Sequence, residues 1–251
     1  MVQSLFWKHI PLSRFVPKDR FYQEFNNRVQ SSKTLLCFSL GQTNKVLWDF
    51  WGHTYNNPGC DHAETVALRA IKDFLKQCRE EMSRKYELTM YLSFSPCAGC
   101  CKRLTAFVRS ESAVQVSILV SRLYFPQYRD TRENLRQLVH SGIRLEVMGR
   151  KDFEKCHHLF VDYCSNFEEW PELDEESENG RAVLQGILQE CEEESHSQSD
   201  DLESSIWLSL TPVDAGTSWT SQEPETPQKA PSVASDTGYA QGVKRKLFDF
   251  C

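Results

Sequence analysis

Two short motifs constrain this chain more than any other feature of its sequence, because their side chains can share one metal ion. His62-Ala63-Glu64 begins a helical pattern, and Pro96-Cys97-Ala98-Gly99-Cys100 follows a predicted strand. In a helix, Cys97 and Cys100 lie one turn apart on the same face, and a helix N-terminus favours their thiolate forms. His62 supplies a third ligand. The fourth position of a tetrahedral zinc site is then left for water, as in catalytic zinc sites.

Each motif also has a more ordinary interpretation when it is taken alone. A Cys-x-x-Cys pair can be a redox pair or half of a zinc ribbon, although a ribbon needs a second cysteine pair that this sequence does not provide. Asp61-x-x-Glu64 satisfies a helix capping box, in which Glu64 would only bond a backbone amide. Ser95 and Pro96 are expected to be the N-cap and first-turn residues of the cysteine helix. The conjunction of the two motifs favours metal binding, with Glu64 as the catalytic carboxylate.

Hydrophobic periodicity along residues 18–188 predicts strands that alternate with amphipathic helices. The predicted strands are residues 34–40, 45–55, 88–94, 114–120 and 143–148. The predicted helices are residues 18–29, 62–78, 96–109, 131–141, 151–163 and 180–188. A hairpin followed by alternating strands and helices indicates an α/β structure with helices on both faces of a mixed sheet.

Charge is distributed very unevenly along the chain. Residues 168–251 contain 19 of the 35 acidic but only 5 of the 29 basic residues, so the formal net charge is +8 before residue 168 and −14 after it. We expect residues 1–190 to form one domain and residues 191–251 to be a disordered acidic tail rich in Ser, Thr and Pro. The basic part can attract phosphates, while the tail can screen that surface, bind protein partners or maintain solubility. For Lys244–Phe248, a nuclear-import patch or docking peptide is less favoured than a solvated end.

The sequence also predicts a compartment. Residues 1–12 lack the apolar core of a secretory signal, and no later segment has the length and apolar character of a membrane span. We therefore expect an intracellular protein, cytoplasmic or nuclear, with no membrane partner. In that reducing setting the 10 cysteines should be thiols and metal ligands rather than disulfides.

Aromatic and basic residues alternate after the fourth predicted strand. The aromatic residues are Tyr124, Phe125 and Tyr128, and the basic residues are Arg122, Arg129 and Arg132. Stacking one base on an aromatic side chain contributes about 1–3 kcal/mol and suits a single strand. The alternative is that the rings belong to the core and the arginines to a solvated helix face.

H-x-E followed by P-C-x-x-C on these elements is the signature of zinc deaminases. The sequence resembles the AID/APOBEC family of polynucleotide cytidine deaminases over residues 21–188. The resemblance also rests on Thr34–Cys37, Ser93–Cys97, Ser121–Tyr124, Asp152–Cys156 and Trp170–Pro171. It implies a cytidine-deaminase-like three-layer fold, with a five-stranded mixed sheet flanked by about six helices.

The resemblance implies a role for each motif residue. His62, Cys97 and Cys100 would bind zinc, and Glu64 would shuttle protons while zinc-bound hydroxide attacks C4 of cytosine to give uracil. The residues implied to surround the base are Thr34, Asn57, Ala63, Phe94, Ser95, Arg122 and Tyr124, with Tyr124 stacked on the base and Arg122 packed close behind it. The loop implied to select the 5′ neighbour is Phe125, Pro126, Gln127 and Tyr128. The expected partner is single-stranded DNA in preference to RNA, for antiviral restriction, mutation or editing.

Three departures from the family pattern keep other functions open. Phe94 replaces a Trp, Ser31-Ser32-Lys33 replaces a Gly-Arg that would contact phosphate, and 31 residues separate Glu64 from Pro96, a few more than usual. The altered first loop, the long spacer and the acidic tail support a second hypothesis, a catalytically silent deaminase fold that binds nucleic acid or protein. The intact set of His62, Glu64, Cys97 and Cys100 speaks against it. A free-nucleotide deaminase is disfavoured by the basic front segment and the aromatic loop.

Overall fold

The computed structural model describes residues 15–29, 31, 33–43, 45, 48–56, 61–78, 85–161 and 166–190. Asn57, the spacer at residues 79–84 and the tail at residues 191–251 lie outside the described residues. The strands are β1 (Leu35–Gln42), β2 (Trp48–Tyr55), β3 (Tyr86–Leu92), β4 (Val114–Val120) and β5 (Arg144–Val147). The helices are α1 (Lys18–Phe25), α2 (Ala63–Gln77), α3 (Ala98–Ser110), α4 (Arg129–His140), α5 (Arg150–Phe160) and α6 (Leu173–Gln189).

The five strands form one mixed sheet in the order β2-β1-β3-β4-β5. β1 is antiparallel to β2 and β3, whereas β3, β4 and β5 are parallel. Leu36 of β1 pairs with Leu92 of β3, which in turn pairs with Val120 of β4. The start of β1 and the carboxyl ends of β3 and β4 therefore meet at one end of the sheet, where α/β proteins bind ligands.

The core consists of two clusters, one on each face of the sheet. Leu36, Phe38 and Leu40 belong to the cluster covered by α2, α3 and α4. Leu35 and Cys37 belong to the opposite cluster, which α1 and α5 cover. The alternation along β1 thus follows the two-residue period of a strand. The predicted three-layer fold with a five-stranded mixed sheet and six helices is confirmed for the described residues.

Two helix boundaries differ from the sequence prediction by four residues or more. α6 begins at Leu173 rather than at residue 180, because three acidic residues in its first turn suit the positive end of a helix. Its buried face there includes the polar Ser177, so the apolar period is weak. α1 ends at Phe25 rather than at residue 29, because Asn26 is extended and the carbonyls of Asn26 and Val29 accept hydrogen bonds from Arg122.

The six cysteines that the structure describes are free thiols, as expected. Cys37 and Cys156 are fully buried in the cluster beneath α1 and α5. Among the described residues, no helix combines the length and the apolar character needed to cross a bilayer.

Candidate metal centre and active site

Two helix N-termini bring the His and Cys side chains together. His62 is the N-cap of α2, and Cys97 is the N-cap of α3. His62 Nδ1 lies 3.6 Å from Cys97 Sγ and 3.4 Å from Cys100 Sγ, and the three ligand atoms all lie within 4.8 Å of one another. Tetrahedral zinc bonded to nitrogen at about 2.05 Å and to sulfur at about 2.3 Å requires an N···S separation of about 3.6 Å. The group could therefore hold a metal ion, and its spacing fits zinc.

The two thiols differ strongly in acidity. A hydrogen bond from the Cys100 thiol, together with backbone N–H groups at the start of α3, lowers the pKa of Cys97 to about 5. The pKa of Cys100 is raised, because its proton bonds Cys97 and because the group is buried. Cys97 is therefore the more acidic of the two thiols. A metal ion that binds both sulfurs would displace their protons.

Glu64 lies beside this group in the first turn of α2, and it is only 4% exposed. Burial raises the pKa of its carboxyl, and a hydrogen bond to the Glu64 backbone N–H partly offsets that effect. The carboxyl also interacts with Cys100. A buried carboxyl with a raised pKa, next to metal ligands, is suited to taking up and releasing a proton.

The capping-box alternative for Glu64 does not describe this site. His62 rather than Asp61 is the N-cap, and it makes no side-chain capping hydrogen bond. Asp61 instead forms an ion pair with Arg69, at 3.2 Å between Oδ2 and Nη2. Glu64 is therefore not held by a reciprocal cap.

The expected N-cap of the cysteine helix is wrong by two residues. α3 begins at Ala98, so Ser95 and Pro96 lie before it. The Ser95 hydroxyl is engaged elsewhere, because it accepts a hydrogen bond from the Tyr124 backbone N–H at 2.9 Å. The Ser95 N–H donates to the Arg122 carbonyl at 2.8 Å. Ser95 therefore fastens the loop after β3 to the loop after β4.

The structure brings most of the predicted base-contacting residues to the same end of the sheet. Thr34 directly precedes β1, where its N–H donates to the Asn56 side chain at 2.9 Å. Ala63 is fully buried at the start of α2, and Ser95 is 3% exposed in the loop after β3. Tyr124 lies in the loop after β4. These positions surround the end of the sheet that carries the metal ligands.

Aromatic rings run outward from Phe94, which lies just before the cysteines. Ring centroids are 6.4 Å apart for Phe94 and Tyr124, 4.5 Å for Tyr124 and Phe125, and 5.5 Å for Phe125 and Tyr128. The last three side chains are 40%, 47% and 57% exposed, so they are not core residues. Phe125 also has a positive φ of 44°, a strained backbone geometry for a bulky residue.

The three arginines near this loop have different surroundings. Arg122 donates to the backbone carbonyls of four residues and is half-buried. Arg132 lies 3.5 Å from Glu190, the residue that follows α6, and forms an ion pair with it. Arg129, the first residue of α4, is exposed.

Sequence reasoning missed Glu24, which is only 1% exposed near Arg122. Its carboxylate accepts a hydrogen bond from Ser31. The available signal was its position three residues after Phe21, on the same apolar helix face as Phe25. A carboxylate on a buried face requires a partner within the protein.

A His-Cys-Cys group at two helix N-termini, a buried Glu and a five-stranded mixed sheet define the class of zinc-dependent nucleobase deaminases. The family model for the APOBEC3 cytosine deaminase domain matches residues 14–188. The chain therefore belongs to the AID/APOBEC family, and it is a deaminase.

Curated relatives give the same picture. The chain is 32% identical over 157 residues to the cat DNA dC->dU-editing enzyme APOBEC-3H (Felis catus), covering 62% of this chain and 78% of the relative. It is 30% identical to the human enzyme of that name (Homo sapiens), over 66% of this chain and 84% of the relative. It is 29% identical to the opossum C->U-editing enzyme APOBEC-1 (Monodelphis domestica), over 64% of this chain and 66% of the relative.

Proposed function

We propose that this protein hydrolyses cytosine to uracil in single-stranded DNA at a zinc ion held by His62, Cys97 and Cys100. The observation that carries the proposal is the group of three ligand atoms within 4.8 Å of one another, with buried Glu64 in the adjoining helical turn. DNA is favoured over RNA because relatives such as the human and cat proteins are named DNA dC->dU-editing enzymes.

The proton transfers are assigned to Glu64. Bound zinc supplies a water of lowered pKa, and so makes a nucleophile available at neutral pH. The Glu64 carboxylate would accept one proton from the attacking water and deliver it to N3 of cytosine while the water oxygen bonds C4. Glu64 would then pass the second water proton to the exocyclic amino group, and the bond from C4 to that amino group would break to release ammonia and leave uracil. Burial favours the protonated carboxyl, so the proton can be held between these transfers.

The base is proposed to be held where the loops after β3 and β4 meet the start of β1. The backbone of Ala63 and Ser95 and the side chains of Thr34 and Asn57 would hydrogen-bond its edge. The Tyr124 ring would stack on it, with Phe94 as a neighbouring wall in edge contact with Tyr124. The pocket therefore binds a base that has been removed from any stack, as in other base-modifying enzymes.

The exposed loop is proposed to hold the strand on either side of the target. Phe125 and Tyr128 offer ring faces to neighbouring bases, and Arg129 is exposed beside them. Stacking contributes about 1–3 kcal/mol for each base and accepts any base. Pro126 and Gln127 shape the same loop, which is where a preference for the 5′ neighbour would arise. An intracellular location and a role in antiviral restriction, mutation or editing stay predictions.

The test is uracil formation in a single-stranded oligonucleotide that carries one cytosine, with cytidine and dCMP as competitors. The protein should convert the oligonucleotide, and excess cytidine or dCMP should not inhibit. Inhibition by either competitor would favour a free-nucleotide deaminase. A zinc-loaded protein that binds the oligonucleotide without forming uracil would favour the silent binding module instead.

A further inference from the structure

Arg122 lies in the loop after β4, where this loop meets the loop after β3 and the segment after α1. Its guanidinium points into the protein rather than toward a bound DNA strand. Nε donates to the Ser93 carbonyl at 3.2 Å, and Nη1 donates to the Asn26 carbonyl at 3.1 Å. Nη1 also donates to the Val29 carbonyl, and Nη2 to the Glu24 carbonyl. A guanidinium has five N–H donors, so backbone acceptors use most of its hydrogen-bonding capacity.

The face of the same guanidinium is covered by Phe94, whose ring centroid lies 4.1 Å from Arg122 Cζ. This distance is typical of a cation–π contact. Phe94 in turn meets the Tyr124 ring edge-on. Arg122 therefore supports the aromatic side of the proposed base pocket from behind.

A buried acid accompanies this buried cation. Glu24 is 1% exposed, and its charge stabilises the charged form of Arg122 against the effect of burial, which lowers the pKa of the guanidinium to about 10. The Ser31 hydroxyl donates to the Glu24 carboxylate and accepts the Lys33 N–H at 3.1 Å. Ser31 thus connects the Arg122–Glu24 pair to the segment that leads into β1 and Thr34.

We propose that Arg122 is a positioning residue, not a phosphate contact: with Glu24 and Ser31 it holds the backbone at Asn26 and Val29, together with the Phe94 ring, as walls of the cytosine pocket. The proposal rests on the deaminase function proposed above. It also assigns a role to Ser31, one of the residues that departs from the family pattern before β1. The Gly-Arg of other members is replaced here by Ser31-Ser32-Lys33, and Ser31 holds this segment through its hydrogen bond to Glu24.

Two substitutions at Arg122 separate positioning from phosphate contact. Arg122→Met removes the charge, and Arg122→Lys keeps a charge but loses the planar fork that reaches several carbonyls. For a positioning residue, both variants should lower the rate at saturating single-stranded DNA by roughly 10- to 100-fold, the scale of a small misplacement. Lysine should not rescue the rate.

The salt dependence of DNA binding distinguishes the two roles, because the loss of a phosphate contact changes it and the loss of a positioning residue does not. Each lost phosphate contact reduces the slope of log K against log salt by about 0.7 for a single strand. Arg122→Met should keep the wild-type slope, whereas the matched control Arg129→Met, at an exposed arginine, should reduce it. A slope reduced by about 0.7 in Arg122→Met, or a wild-type rate in Arg122→Lys, would overturn the proposal.

Cooperative melting and zinc content of the full-length variants serve as folding controls. If neither Arg122 variant folds, Ser31→Ala tests the proposal instead, because this substitution removes only the hydroxyl that bonds Glu24. A reduced rate at saturating DNA with the wild-type salt slope supports the proposal, and a wild-type rate contradicts it. If the wild-type protein forms no uracil, the proposed function fails, but the binding slopes still show whether Arg122 contacts phosphate.

Discussion

Replacing Ser95 with alanine should loosen the loop after β4 without disturbing the start of α3. The Ser95 hydroxyl is the acceptor for the Tyr124 N–H at 2.9 Å, and Ser95 itself is 3% exposed. Its loss leaves a backbone donor without a protein partner, which costs about 1–3 kcal/mol when no water can replace the acceptor. Because the Tyr124 side chain is 40% exposed, we expect the lower half of that range, about 1–2 kcal/mol.

Two measurements test this expectation. Urea unfolding should give a lower midpoint with an unchanged slope. Hydrogen exchange should be faster at the Tyr124 amide but unchanged at the Cys97 and Ala98 amides, which are the amides that an N-cap at Ser95 would bond. Ser110→Ala is a matched control, because it deletes a hydroxyl at the exposed end of α3, and it should cost less than about 0.5 kcal/mol. Faster exchange at Cys97 and Ala98 with wild-type exchange at Tyr124 would show that Ser95 caps the helix, and would refute this assignment.

Three further predictions concern catalysis, charge and pH. Glu64→Ala should keep zinc but lose at least about 10²-fold in rate; loss of zinc, measured by metal analysis, would contradict the assigned role. Removing residues 191–251, which carry 11 acidic and 4 basic residues, should preserve cooperative melting and tighten single-strand binding at low salt, with a gain that shrinks as salt rises. Equal affinities at low salt would exclude screening by the tail. Burial lowers the pKa of His157 from 6.5 to about 4, so the unfolded chain binds its proton more tightly. Stability should therefore fall by about 1–3 kcal/mol as pH drops from about 6.5 to about 4, and His157→Asn should remove that component from melting curves.

The sequence predicted what depends on local pattern and on residue chemistry. The alternation on β1 follows directly from Leu36, Phe38 and Leu40, and the His62 and Cys97 motifs indicated a shared metal before any geometry was known. It could not predict what depends on contacts between distant segments. Ser95 resembles an N-cap in sequence, but its hydroxyl accepts a hydrogen bond from the backbone N–H of Tyr124, 29 residues away.

The difference is sharpest at Arg122. The local pattern places it beside aromatic residues as a phosphate partner, like Arg129, whereas the family resemblance implied that it packs behind Tyr124. Its actual partners are carbonyls 29 to 98 residues away in the chain. α1 ends early for the same reason, because the turn after Phe25 presents the Asn26 and Val29 carbonyls to this guanidinium. Helical periodicity contains no information about such a partner.

The most direct test of the central claim is sequencing of a random single-stranded DNA pool after incubation with the full-length protein. Zinc-loaded Glu64→Ala serves as the matched control. We predict C-to-T changes with the wild-type protein alone, enriched after particular 5′ neighbours. A pool in which wild type and control give equal C-to-T counts would contradict the assignment of this protein as a deaminase of single-stranded DNA.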